Sequence, residues 1–168
     1  MMKLRPRDLI MIAVVVVIVL IIALFGFPNT GSTDITIKSN LTIEFANAPS
    51  IKNQGMNTTW KMVSGSWTSS MSNNSQGQTV LIFENITSKS NCYDQLVAAS
   101  RIADFEIGSQ NQTLGLIVIS IGGAANLDFE GRAWQYYVNG IYANRACNIV
   151  TVANDDHVLW KYQPNQLG

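Results

Sequence analysis

Residues 133–145 read AWQYYVNGIYANR, and the Asn139-Gly140 pair inside them is the strongest local signal in the chain. A two-residue type I′ turn needs φ > 0 at both central positions, which Asn and Gly adopt most readily, so Val138 and Ile141 are expected to flank a tight hairpin. Side chains alternate along a strand, which puts Trp134, Tyr136 and Val138 on one face and Gln135, Tyr137 and Asn139 on the other. One face of two facing strands must be core. Trp134, Tyr136 and Trp160 are therefore expected to be mainly structural, and Tyr137, Asn139 and Tyr142 to be better placed to meet a partner.

Outward from the hairpin, residues 149–152 and 157–162 read as a closing pair of strands around the turn Asn154-Asp155-Asp156, with Val158, Trp160 and Tyr162 pointing one way. Toward the N-terminus, LGLIVISI (114–121) is a buried strand ending at Gly122-Gly123. Asn91, with Asp94 three residues on, is a helix cap: the amide accepts from an early backbone N–H and the acid faces the positive helix end. Cys92, Leu96, Ala99 and Ala103 then fall on one helical face. VLIFENI (80–86) is too short for a helix and rich in strand formers.

Before it, residues 35–45 alternate Leu41, Ile43 and Phe45 with Thr42 and Glu44, the period of a half-buried strand. Residues 46–78 are the least readable, with a short hairpin expected around Ser64-Gly65 and Trp60 and Trp67 plugging the core edge. From Thr79 the order is strand, helix, then several strands. That predicts an α+β class, a mixed sheet crossed by one main helix, the layout of β-grasp folds.

Residues 9–27, LIMIAVVVVIVLIIALFGF, carry no charged, amide or hydroxyl side chain. At 1.5 Å per residue such a helix reaches roughly 28 Å, close to the ~30 Å hydrocarbon core of a bilayer, so a single N-terminal transmembrane helix is expected. Lys3, Arg5 and Arg7 precede it against Asp8 alone, which keeps residues 1–8 cytoplasmic and sends the rest outside. The competing reading, a cleaved secretory signal, wants a shorter apolar run and a small-x-small site, and residues 23–28 offer no good one. PNTGSTD opens a polar tether at residues 28–38, followed by an N-terminal extension of the outer domain at 39–78 and its main domain at 79–163.

Past residue 27 eight Lys or Arg face ten Asp or Glu, a net charge of −2 with the cations scattered, so nothing recruits nucleic acid. Five Asn-x-Ser/Thr sites at Asn40, Asn57, Asn73, Asn85 and Asn111 fall on the expected external side and are candidate glycosylation sites. Cys92 and Cys147 are the two cysteines of the chain. Outside a cell an isolated pair most often forms a disulfide, worth roughly 4 kcal/mol for a loop of this length; the alternative is two buried free thiols.

The segments TVLIFEN, NCYDQL, SIGG, AWQYYVNG and HVLWKY, in that order, resemble the transcobalamin C-terminal-like domain of unknown function across residues 79–163. The most specific piece is W-x-Y-x-V-N-G at Trp134 to Gly140, followed by W-x-Y at Trp160 and Tyr162. The resemblance implies a small β-grasp module that binds ligands in some members, a corrinoid in the carriers, and acts as a surface spacer or adhesion unit in others. The chain departs at its last turn, where Asn154-Asp155-Asp156 stands in place of the usual Asp-Gly-Asp. It also lacks any likeness to the helical domain with which carriers grip cobalamin, so corrinoid binding by this chain alone is not expected.

Catalytic sets fare poorly. Cys92 and His157 can be drawn as nucleophile and base, but Cys92 begins a helix stripe and has Cys147 as a candidate partner. Acid pairs at Asp104 and Glu106, Asp128 and Glu130, and Asp155 and Asp156 lack a third group and supply too few oxygens for calcium; zinc lacks ligands. No enzyme activity, cofactor or metal is expected. The reading is a cell-membrane protein anchored in lipid through residues 9–27, whose extracellular domain binds an unknown ligand or envelope protein without catalysis. Contacts are expected at Tyr137, Asn139 and Tyr142, with Trp134 and Trp160 beside them. The alternative is a ligand-free spacer or adhesion component of the envelope. An open, aromatic-lined groove at the Asn139-Gly140 hairpin would favour binding, and a closed flat surface the spacer.

Overall fold

The computed structural model describes residues 35–48 and 52–164. The expected membrane span at 9–27, the basic start and residues 28–34 of the expected tether lie outside the described residues. No helix among the described residues is long and apolar enough to cross a membrane.

The described residues carry ten strands and one 12-residue helix. β1 (Thr36–Glu44), β2 (Met56–Val63), β3 (Ser66–Asn73) and β4 (Val80–Lys89) precede helix α1 (Cys92–Ala103). After it come β5 (Ile107–Gln112), β6 (Gly115–Ile121), β7 (Ala124–Ala125), β8 (Arg132–Val138), β9 (Ile141–Tyr142) and β10 (His157–Pro164). Seven strands form one sheet in the order β3-β2-β4-β1-β10-β8-β9, and β5-β6-β7 form a second. β1 runs antiparallel to β4 and parallel to β10, so strands from both sides of residue 78 share one sheet.

The α+β, β-grasp-like expectation is overturned: the described residues are mostly strand, with one short helix. The reason lies in two polar segments. MNTTWKMV and SWTSSMSN form a complete antiparallel ladder, Met56 opposite Asn73 through Val63 opposite Ser66, yet β3 is exposed along nearly its whole length. IGSQNQ of β5 is likewise mostly exposed and pairs with β6. Backbone ladder bonds define these strands, and no alternation of apolar residues betrays them. Residues 149–152, expected as a strand, contribute a single bridge from Thr151 to Asn91.

One face of the large sheet is the core. Ile37, Leu41 and Ile43 of β1, Phe83 and Ile86 of β4, Trp134 and Tyr136 of β8, and Val158, Trp160 and Tyr162 of β10 are all buried. α1 and β6 cover this face with Leu96, Ala99, Val118 and Ile121. Asn91 caps the helix as its sequence demands, its Oδ1 accepting from the Asp94 N–H at 2.8 Å. Gln95 ties the helix to β1, its Nε2 donating to Ser39 Oγ at 2.6 Å and to the Asn40 carbonyl at 3.1 Å. The opposite face is polar, with Lys161 on β10 paired to Glu44 on β1 at 3.0 Å.

Candidate functional site

The hairpin forms as read. Asn139 and Gly140 have φ of 51° and 79°, and β8 and β9 pair across them. Beside it opens a cleft of about 700 Å³. The floor holds Trp134, Tyr136 and Trp160, the lip Tyr142, and the walls are the start of β6 and residues 143–149. Apolar side chains dominate, with Leu114 and Ile149 exposed at the rim.

The wall at 143–149 is pinned from two sides. Tyr136 donates its hydroxyl to the Arg145 carbonyl at 2.7 Å. The Leu116 N–H donates to Asn148 Oδ1 at 2.9 Å, and the Cys147 N–H returns to the Leu116 carbonyl at 3.2 Å. Gly115 permits this approach. With φ at 121°, a Cβ there would stand 2.5 Å from Ala146 Cβ and 2.9 Å from Asn148 Oδ1.

The floor is ordered by ring contacts. Tyr136 stacks on Trp160 at a centroid separation of 4.8 Å, and Trp134 meets Phe45 edge-on at 5.1 Å. Trp134 donates its indole N–H to the Ala124 carbonyl at 2.7 Å. Trp160, 2% exposed, keeps its indole N–H without an acceptor. A buried donor left unmade costs about 1–3 kcal/mol.

The structure brings Trp134, Trp160 and Tyr142 together at the cleft. Tyr137 and Asn139 are engaged elsewhere. The Tyr137 hydroxyl accepts from Gln163 Nε2 at 2.7 Å, and its ring meets Tyr142 edge-on at 5.6 Å. Asn139 bonds across to Asp156 and His157. The walls at 112–118 and 143–149 were not legible as site residues, since no charged or aromatic motif marks them.

The expected disulfide is corrected. Cys92 and Cys147 are free thiols, both buried. Cys147 turns its Sγ to the Leu116 carbonyl at 3.3 Å, where it donates. Burial pushes the Cys92 thiol up to about 12, with neighbouring Cys147 and Asp156 adding to the rise, and pushes Cys147 up to about 11. Burial likewise raises Tyr136, with Cys92 and Cys147 contributing. His157 lies apart from these thiols in its bonding: Nε2 is 2.9 Å from Thr42 Oγ1. Among the described residues no three His, Cys, Asp or Glu side chains converge as a metal site. Glu130 is taken by Arg132 at 3.0 Å.

Of the sequon residues, Asn40 Oδ1 accepts from the Asn85 N–H at 3.0 Å, capping the bulge where β4 shifts register. Asn57 Oδ1 accepts from Asn74 Nδ2 at 2.7 Å. Asn73, Asn85 and Asn111 are exposed.

Residues 96–164 match the domain of unknown function DUF4430. The match takes in most of α1, the small sheet, the cleft and β10, and overlaps the later part of the stretch that resembles the transcobalamin C-terminal-like domain. No curated protein matches the sequence. Among solved structures, a candidate metal binding protein from Ruminococcus gnavus ATCC 29149 is similar at 8% identity and a TM-score of 0.45, over 77% of this chain and 98% of that one. Haptocorrin in complex with Cbi is similar at 12% identity and a TM-score of 0.44, over 79% of this chain and 26% of that one.

Proposed function

We propose that the chain is an extracytoplasmic binding protein, held to the membrane through residues 9–27, whose β domain takes a ringed, largely apolar ligand without transforming it. One observation carries the reading: the aromatic-floored, largely apolar cleft of about 700 Å³ beside the Asn139-Gly140 hairpin. Such a concave, mostly apolar site with few polar groups is the usual form of a small-molecule pocket. The Cys147 thiol, which lines the cleft, stays protonated at neutral pH and is a poor nucleophile, which favours binding over catalysis. The resemblance to the transcobalamin C-terminal-like module, ligand-binding in some members, points the same way.

The second reading is a spacer or adhesion unit. It rests on the exposed, uncharged β3 edge, which bears the sequon at Asn73.

The test is extraction of the full-length protein from its own membranes in detergent, release of small molecules with organic solvent, and mass spectrometry. The expected result is a ringed compound that co-purifies with the wild type and is lost from Tyr142→Ala, a change at the partly exposed lip. An empty wild type, or equal retention by the variant, overturns the proposal.

A further inference from the structure

Among the described residues the large sheet ends in β3, and this edge is bare where the other edges are blunted. β9, at the far end of the same sheet, is two residues long, as is β7 in the small one, and β5 shifts register between Gly108 and Ser109. Short strands and bulges of this kind keep an edge from pairing with other chains. β3 runs eight residues, SWTSSMSN, with no charge, no proline and an unbroken register against β2.

That register fixes which backbone groups are free. One step beyond the last pair, the Asn74 N–H donates to the Gly55 carbonyl at 2.9 Å. Alternate residues of an antiparallel pair bond inward, so the even-numbered residues of β3 turn their N–H and C=O groups to β2. Trp67, Ser69, Met71 and Asn73 turn theirs to the open side. Their side chains share the sheet face of Thr58 and Trp60, which stand opposite Met71 and Ser69. Trp67 packs against the core at this margin, while Met71 is 60% exposed.

Free donors and acceptors at every second residue of an uncharged strand suit an antiparallel copy of the same strand. With a two-fold axis at Ser70, Trp67 comes opposite the partner's Asn73 and Ser69 opposite the partner's Met71, so every free group of both edges is used. The axis is normal to the sheet, and the apolar face of one copy runs on into that of the other. Trp67 and the partner's Met71 become diagonal neighbours, within reach of a sulfur–aromatic contact. A foreign strand would use the same backbone groups; a second copy also covers Trp67 and Met71 twice, once on each side of the axis. We propose that β3 is a dimer contact, through which two copies of this chain join edge to edge in that register.

The inference rests neither on what the cleft binds nor on the span at 9–27. The test uses the full-length protein in detergent, with Asn73→Gln in every sample so that no glycan stands opposite Trp67. Sedimentation is expected to show a dimer. Ser70 is exposed and meets its own counterpart at the axis, so Ser70→Lys and Ser70→Glu should each be monomeric with unchanged melting temperatures, and their equimolar mixture should recover the dimer. Ser72 is about 14 Å from its counterpart at ~3.4 Å per residue, so Ser70→Cys should cross-link to itself roughly ten times faster or more than Ser72→Cys. Cys92 and Cys147 are buried and stay out of the reaction. A monomeric starting protein, dimers indifferent to either charge, a mixture that stays monomeric, or equal cross-linking at the two positions overturns the proposal.

Discussion

Asn139 grips the last turn of the chain through Asp156: its Nδ2 donates to Asp156 Oδ1 at 2.7 Å, while its Oδ1 accepts from the neighbouring His157 N–H at 2.9 Å. Asp156 in turn accepts from the Ala153 N–H through Oδ2 at 2.8 Å. The hairpin turn and the turn before β10 are thus one hydrogen-bonded unit. Asn139 also sits at φ 51°. Asn139→Gly keeps the conformation and loses both bonds, for an expected cost of about 1–2 kcal/mol. Asn139→Ala adds left-handed strain, about 1 kcal/mol more. Urea denaturation of both variants separates the two causes; equal losses would assign everything to the hydrogen bonds.

Gly115→Ala should be the most damaging small change at the cleft. The added carbon meets Ala146 and Asn148 in a wall already pinned to Leu116, and φ 121° is unfavourable for any Cβ. A loss of about 2–4 kcal/mol is expected, with perturbed amide signals across residues 143–149. A variant as stable as the wild type would show that the wall gives way freely.

Gln95 is fully buried and supports the β1 irregularity between Ser39 and Leu41. Gln95→Leu leaves Ser39 Oγ and the Asn40 carbonyl without its amide and should cost about 1–3 kcal/mol. Ser39→Ala in the same chain should recover part of that loss, because one orphaned group is removed with it. A strictly additive double variant would refute the coupling.

The thiols make stability depend on alkaline pH. Both folded-state values, about 12 for Cys92 and about 11 for Cys147, lie above the ordinary thiol value of 9.0. The folded chain therefore holds its protons where the unfolded chain releases them. This contribution is fully present below about pH 9 and is lost as the pH rises through 11 and 12. Denaturation midpoints measured from pH 7 upward should be flat and then fall, with a shallower fall in the Cys92→Ser, Cys147→Ser double variant. Native protein at pH 8 should resist alkylation until denaturant is added.

Where the physics is local, the sequence carries the answer. Asn139-Gly140 and Ser64-Gly65 each announce φ > 0 turns, and both have them. Asn91 with Asp94 announces a cap, and α1 begins at Cys92. β1, β4 and β6 declare themselves by apolar residues because burial holds them. β3 and β5 do not, since ladder bonds in water leave no trace in side-chain pattern. Residues 149–152 mislead for the opposite reason: they are apolar, yet their N–H groups close loops, Ile149 to the Ala146 carbonyl and Val152 to the Ser90 carbonyl. The aromatic floor of the cleft was legible as a set. Its walls were not, because what places them is the missing side chain of Gly115 and a few backbone bonds.

β1 and β10 lie side by side at the centre of the large sheet, Leu41 beside Val158 and Ile43 beside Trp160. The first described strand therefore waits for the last described one. Until β10 emerges, β1 has a neighbour on one side alone, and β8 with β9 has no sheet to join. Such distant pairing is slow to form, so the sheet closes late, once β10 is available to β1 and β8. Loss of β10 would leave two separate half-sheets, β3-β2-β4-β1 and β8-β9, each with an apolar edge open to other chains.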